Sequence, residues 1–223
     1  MDQTAFYRMT YGVFLLSARE GDKDNGCIIN TAVQVANNPT RVSIAVIKEN
    51  YTCGMIERTG LFNLTSLTEE TSFDLLKHFG MQSGRDVNKF EGQSAARAEN
   101  DLLYLTESAN MYMSCKVTEQ MDLGSHMLFI GEVTEAEVLG SAPSCSYGYY
   151  QTVIKPKPQP VAKKAWVCAI CGYVYEGDEV PEDFICPLCR HGKEDFVLAD
   201  PDAKKEEPAP APAAADRWVC PTC

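Results

Sequence analysis

The stretch Cys168-Ala169-Ile170-Cys171-Gly172-Tyr173-Val174-Tyr175, answered by Cys186-Pro187-Leu188-Cys189, decides the C-terminal part of this chain. Each Cys-x-x-Cys turn points two sulfurs to one side of a tight loop. Two such turns, with fourteen residues between them, face each other as a tetrahedral S4 cage suited to zinc or iron. A module of this size buries too little apolar surface to fold alone, so the metal serves as its core. Gly172 follows the first turn, where a positive φ lets the loop close and aims its amides at the sulfurs. Trp166, Tyr173, Tyr175, Phe184 and Phe196 supply an aromatic shell. Such a shell excludes water and suits an electron-transfer iron. A structural zinc ribbon is the alternative.

The run Trp-Val-Cys-x-x-Cys-Gly-Tyr-Val-Tyr-Glu-Gly-Asp, with Cys-Pro-Leu-Cys and Lys193-Glu194-Asp195-Phe196 after it, resembles rubredoxin. The short gap between the knuckles is nearest the rubredoxin-like tail of rubrerythrin. The resemblance implies one iron, passing one electron, on Cys168, Cys171, Cys186 and Cys189. Position 190 is Arg where the family has Gly, which bears on the backbone of the second turn and not on the ligands.

The rest of the composition bounds the partners. The chain has 223 residues, enough for one medium domain and one small one. Its 20 Lys and Arg stand against 31 Asp and Glu, net −11, which argues against nucleic acid and anionic membranes. No apolar run is long enough to span a bilayer, and the first residues show no signal-peptide pattern. Ten cysteines, six of them in Cys-x-x-Cys spacing, then point to a reducing cytoplasm. The scattered Cys27, Cys53, Cys115 and Cys145 read as small buried apolar residues. His78 and His191 read as surface residues.

Upstream of residue 155 the pattern is mainly β with short helices, and a barrel is the predicted architecture. Strands are predicted at 10–17, 27–34, 41–47, 61–67, 101–105, 111–121 and 126–139. A hairpin turn is predicted over 21–26, on its Asn25-Gly26 pair. Helices are predicted at 51–59, ended by Gly60, and at 71–79, ended by Gly80. There is no Gly-x-Gly-x-x-Gly opening a helix and no Gly-x-x-x-x-Gly-Lys loop, so any nucleotide is held otherwise.

The order of these pieces resembles the flavin reductase-like split β-barrel family. The matching residues are Gly26-Cys27-Ile28-Ile29-Asn30-Thr31 with Gln34-Val35, Asn38-Pro39, Ala45 to Thr52, Ser83-Gly84-Arg85-Asp86 with Lys89-Phe90, His126 to Val133, and Tyr147 to Tyr150. The resemblance implies non-covalent FMN near the interface of a homodimer. On that footing Asn30 and Thr31 offer short polar groups to the ring or ribityl chain. Ala45, Val46 and Ile47 offer strand-end backbone to the ring, with Lys48, Asn50 and Thr52 in the loop beyond. A hydroxyl and amides at a helix start, as at Thr52, make a phosphate seat. Ser83, Gly84, Arg85 and Lys89 complete it with positive charge. His126 is placed near flavin and nicotinamide as a catalytic candidate, and Tyr150 is a further flavin contact.

The domain reading is therefore 1–155 flavin reductase-like, 156–165 a Pro/Lys linker, 166–200 rubredoxin-like, 201–216 a Pro/Ala-rich linker and 217–223 an isolated Cys-x-x-Cys tail. The first linker, with Pro156, Pro158 and Pro160, reaches roughly 30 Å as polyproline II at ~3.1 Å per residue. Residues 166–200 hold eight acids and two bases, net −6, as in a carrier that docks fast and weakly on basic patches. Cys220 and Cys223 form half a knuckle with no mate. Together the modules resemble high-molecular-weight rubredoxin. That implies electrons from NADH or NADPH, through FMN, to the iron, then to an acceptor such as a flavodiiron protein reducing oxygen or nitric oxide. A free-flavin reductase, or a barrel bearing a zinc interaction module, are the alternatives.

Overall fold

A computed structural model of the protein describes residues 8–157, 165–177 and 179–199. Most of both linkers, the Cys220-x-x-Cys223 tail, Asp178 and Asp200 lie outside the described residues. The chain forms two compact units, one on a seven-stranded sheet and one on a three-stranded sheet.

The first hairpin is β1, Phe14–Glu20, and β2, Lys23–Ile29. Its turn is Gly21-Asp22, with Glu20 opposite Lys23 and Gly21 at φ 58°. A two-residue turn needs that left-handed residue, and Gly21 supplies it. The Asn25-Gly26 pair predicted as the turn is instead inside β2, and Asn25 is fully buried.

The strand predicted over 27–34 is broken at Asn30-Thr31. Beyond it, β3, Ala32–Asn37, pairs with β4, Thr40–Ile47. The break is held by the Thr31 hydroxyl, which donates to the Ala45 carbonyl at 2.6 Å and accepts from the Ala45 amide at 3.3 Å.

Helix α1, Tyr51–Thr59, starts where the Asn50 side chain accepts from the Thr52 amide at 3.0 Å. It ends at Gly60, φ 69°, whose amide reaches the Ile56 carbonyl. Strand β5 is Leu61–Leu67. Helix α2, Phe73–Gly80, begins two residues later than predicted because Ser72 is its cap, accepting from the Leu75 amide. A short hairpin follows, β6, Ala95–Arg97, and β7, Leu103–Leu105; β6 has too few residues to show a pattern in sequence. Long strands β8, Ala109–Asp122, and β9, His126–Val138, complete the sheet. Two short helical turns span Tyr147–Tyr149 and Tyr150–Ile154.

The strand order is β2-β1-β5-β8-β9-β4-β3, antiparallel throughout. The two outermost strands, β2 and β3, are joined by only Asn30 and Thr31, a reach of roughly 10 Å. The sheet must therefore curl until its edges meet, which makes it a split barrel. Register shifts in β8–β9 and β3–β4 add the local twist that curling needs.

Leu16, Val42, Ile44, Phe62, Leu64 and Phe129 fill the barrel, with Met55 and Ile56 of α1 packed among them. A second cluster outside it joins Val13, Leu15 and Leu67 to Leu76 and Phe79 of α2, and to Phe90. Cys27, Cys53, Cys115 and Cys145 are all buried, as predicted.

The small unit pairs β10, Ala165–Cys168, with β11, Val174–Glu176, and β12, Phe196–Leu198. Tyr173, Tyr175, Phe184 and Phe196 pack ring on ring at centroid separations of 4.7 to 6.4 Å.

Candidate functional site

Cys168, Cys171, Cys186 and Cys189 bring their Sγ atoms within 4.8 Å of one another, and Cys171 Sγ lies 3.5 Å from Cys186 Sγ. Four sulfurs at about 2.3 Å from one ion would stand about 3.8 Å apart. The cage therefore fits a tetrathiolate metal. Each turn is built by backbone. The Gly172 amide donates to the Cys168 carbonyl and the Cys186 amide to the His191 carbonyl, both at 2.8 Å. Gly172 has φ 78°, and Arg190 occupies the matching place in the second turn at φ 60°. The non-glycine residue thus keeps the turn, in a conformation costly to an L side chain. Cys168 and Cys186 are buried, while Cys171 and Cys189 are half-buried.

In the barrel, the structure brings several predicted residues together. Ile47 sits directly across from His126, and Ala45 across from Leu128. Ser125 Oγ lies 2.8 Å from His126 Nδ1. Ala45 and Ile47 lie on the outward face of β4, whereas Val46 points into the core. Lys48 pairs with Asp122 at 2.7 Å, a contact that raises the lysine and lowers the carboxyl from their ordinary values.

Beneath the start of α1 is a buried polar cluster. Asn25 Nδ2 donates to Thr52 Oγ1 at 2.9 Å, and Thr52 is fully buried. Lys89 is also interior. Its ammonium donates to the Gly26 carbonyl at 2.9 Å and to the Phe79 carbonyl, near the negative end of α2, at 2.7 Å. Burial lowers the Lys89 pKa, and the nearby Cys27 thiol opposes that. Burial raises Cys27, against hydrogen bonding from Thr52, the charge of Lys89 and hydrogen bonding from Asn50. Two predicted placements change accordingly. Thr52 and Lys89, expected to face a phosphate, are both buried: the Thr52 hydroxyl accepts from Asn25 of β2, and the Lys89 ammonium donates to carbonyls of β2 and α2, partners that no local pattern reveals.

Gly84 lies against Asn25: a Cβ there would meet Asn25 Oδ1 at 1.9 Å. Ser83 Oγ accepts from the Arg85 amide, and the Arg85 guanidinium reaches the Glu49 carbonyl at 3.4 Å. Arg85 rests over the Tyr51 ring at 4.9 Å, and Lys23 does so at 5.0 Å. Lys23, Asn25 and Tyr51 lie against the predicted residues Arg85, Thr52 and Gly84 and were not among the residues singled out from the sequence. Tyr150 packs beside Tyr147 in the outer cluster. His78 is not a surface residue: it is half-buried, with its ring nitrogens at 2.7 Å from the Lys89 carbonyl and 3.0 Å from Gln82.

This architecture has relatives. Residues 6–156 match the family described as flavin reductase like domain. The chain belongs to that family. Residues 166–197 match the rubrerythrin, rubredoxin-like domain. The chain is 32% identical to the high molecular weight rubredoxin of Moorella thermoacetica, over 88% of this chain and 99% of that one. This flavin reductase-like chain thus carries the domain pair of high-molecular-weight rubredoxin. It is also 30% identical to the ferric-chelate reductase (NAD(P)H) of Archaeoglobus fulgidus, over 70% of this chain and 93% of that one. Among solved folds, the Streptomyces globisporus NADH:FAD oxidoreductase SgcE6 aligns with TM-score 0.58 at 19% identity, over 64% of this chain and 84% of that one. The flavin reductase-like barrel and the rubredoxin-like module together make this an oxidoreductase with a flavin site and an iron-type thiolate cage. No helix among the described residues is long and apolar enough to cross a membrane.

Proposed function

We propose that this chain carries electrons from NADH or NADPH, through FMN, to one iron in the Cys168–Cys171–Cys186–Cys189 cage, and from there to an acceptor protein. A flavodiiron protein reducing oxygen or nitric oxide in the cytoplasm suits that role. The observation that carries the reading is a four-sulfur cage of tetrathiolate size on the same chain as a flavin reductase-like barrel. Bound FMN supplies the chemistry that joins the two, since it takes a hydride and gives electrons up singly.

The chain's own residues position and screen. Thr31 ties the β2–β3 junction to Ala45, which fixes the edge of the pocket. Arg85 and the amides at the start of α1 offer charge to a phosphate, with the Lys89 ammonium behind them. His126 stands at the start of β9 beside Ile47, where it could orient a nicotinamide. The outward face near it leaves Val33, Val35, Ile47, Met121 and Leu123 exposed. A second copy of the chain covering that face would shield the flavin from water. In the small unit the aromatic shell keeps water from the iron, while Cys171 and Cys189 reach the surface.

The test is anaerobic stopped-flow mixing with NADH, following flavin and iron bands separately. The flavin band should bleach first and the iron band after it. Flavin turnover with iron left oxidised would favour a free-flavin reductase. A colourless cage containing zinc would favour an interaction module.

A further inference from the structure

We infer that Arg190 selects the electron acceptor, by receiving a carboxylate from the docking face of a redox protein. This rests on the iron reading above but goes beyond it, because nothing there assigns a residue to the choice of acceptor.

Arg190 directly follows Cys189, one of the two half-buried ligands of the cage, and is itself exposed. Its place in the second turn is that of Gly172 in the first. Gly172 takes φ 78° freely, whereas Arg190 takes φ 60° against the crowding of its own Cβ. Non-glycine residues held in this region cluster at binding and switch sites. What the strained backbone presents here is a guanidinium.

That guanidinium is unneutralised. Residues 166–200 carry two permanent cations, Arg190 and Lys193, among eight acids. Lys193 is tied to Glu182 at 2.9 Å. Arg190 has no carboxylate within ion-pair distance among the described residues. Two large apolar side chains also stand next to ligands in the chain. Ile170 precedes Cys171 and is 38% exposed, and Ile185 precedes Cys186 and is 62% exposed. The two knuckles thus offer exposed isoleucines and one free arginine on an otherwise acidic body. Apolar contacts with an arginine anchor are what the centre of a protein interface uses. The planar guanidinium takes a carboxylate through two parallel hydrogen bonds. The acids of the module call for basic groups. The partner that fits is a redox protein with a carboxylate at the centre of its docking face and basic residues around it. A uniformly basic face would meet Arg190 with like charge.

The test uses the full-length, iron-loaded protein, reduced with one equivalent of dithionite so that NADH is not needed. Oxidation of the iron band is followed by anaerobic stopped flow, for wild type, Arg190→Gln and Arg190→Lys. Two small probes read the charge beside the cage: ferricyanide, an anion, and hexaammineruthenium(III), a cation. At low ionic strength Arg190→Gln should react about fivefold more slowly with ferricyanide and faster with the ruthenium complex, and both differences should fade in salt. Arg190→Lys should keep the wild-type rates. Two protein probes read docking: plastocyanin through its acidic patch, and cytochrome c through its basic one. Arg190→Gln should slow plastocyanin and not cytochrome c, and Arg190→Lys should restore plastocyanin only in part, because an ammonium lacks the fork. The reduction potential and melting point of each variant are measured alongside. A shift in potential moves both acceptors of a pair the same way, so the rate ratio within each pair reports selection. Equal ratios in wild type and Arg190→Gln would overturn the inference, as would a change with the small probes and none with the proteins. If NADH never reduces the iron while the ratios still depend on Arg190, the electron relay falls and this assignment stands.

Discussion

Replacing Gly84 with Ala tests whether the polar cluster under α1 is rigid. The added Cβ would fall 1.9 Å from Asn25 Oδ1, 2.4 Å from its Cγ and 2.8 Å from its Nδ2. Asn25 has no room to yield, being fully buried in β2 with its amide on Thr52 at 2.9 Å. Forcing a methyl into such a site costs about 1–3 kcal/mol. Pulling Asn25 off Thr52 leaves both groups unpaired in the interior, about another 1–3 kcal/mol. The expected loss is therefore about 2–6 kcal/mol, with a matching fall in flavin affinity as the start of α1 shifts. Both tryptophans lie outside the barrel sequence, so urea unfolding should be followed by far-ultraviolet circular dichroism. Asn25→Ala removes the obstacle. In that background Gly84→Ala should cost under about 1 kcal/mol, a coupling that a double-mutant cycle measures directly. A full cost persisting without the Asn25 side chain, or a wild-type cost near zero, would refute the argument.

Other outcomes follow from the same structure. Arg190→Gly relieves an L residue held at φ 60° and should stabilise the small unit by about 1 kcal/mol, read as a higher melting point of the metal-loaded protein. Cys186→Ser removes a fully buried ligand; the metal's absorption band should vanish and the small unit become protease-sensitive while the barrel melts as before. Glu135 accepts hydrogen bonds from Tyr112, Ser114 and the Glu99 amide, and these outweigh the burial that works to raise its pKa, leaving it below its ordinary 4.5. A lowered folded-state pKa means stability that is present above 4.5 and lost as pH falls through the lower value. The stability gap between wild type and Glu135→Gln, measured by urea melts, should therefore narrow below pH 4.5 and hold constant above it.

What the sequence disclosed was what local chemistry determines. Helix α1 was predicted at its true bounds, with Gly60 read as its end; its start is also marked in the chain, by the Asn50 cap that the structure shows. The four metal cysteines were legible because each pair lies within one turn. The first hairpin was foreseen, and its turn falls at the start of the predicted 21–26 rather than on the Asn25-Gly26 end. Asn25-Gly26 has turn chemistry, yet Gly21 with Asp22 closes the strands sooner, and burial then claims Asn25. The break at Asn30-Thr31 shows in the sequence only as a pair with turn chemistry, and the β-forming residues on both sides carry the predicted strand across it. Lys89 and Thr52 are legible as polar candidates for a phosphate seat, but that both are buried depends on residues of β2 and α2 far away in sequence. The meeting of Lys23, Tyr51 and Arg85 is a product of topology alone, since no spacing rule links positions so far apart.

The two-residue seam between β2 and β3 has a consequence for rewiring the chain. It ties the two outermost strands of the sheet together at almost no loop-entropy cost. A circular permutant cut at 30–31 would lose that clasp and let both rims splay. One cut at the exposed Leu123-Gly124 tip, where β8 and β9 already share a long ladder, would keep the cylinder closed.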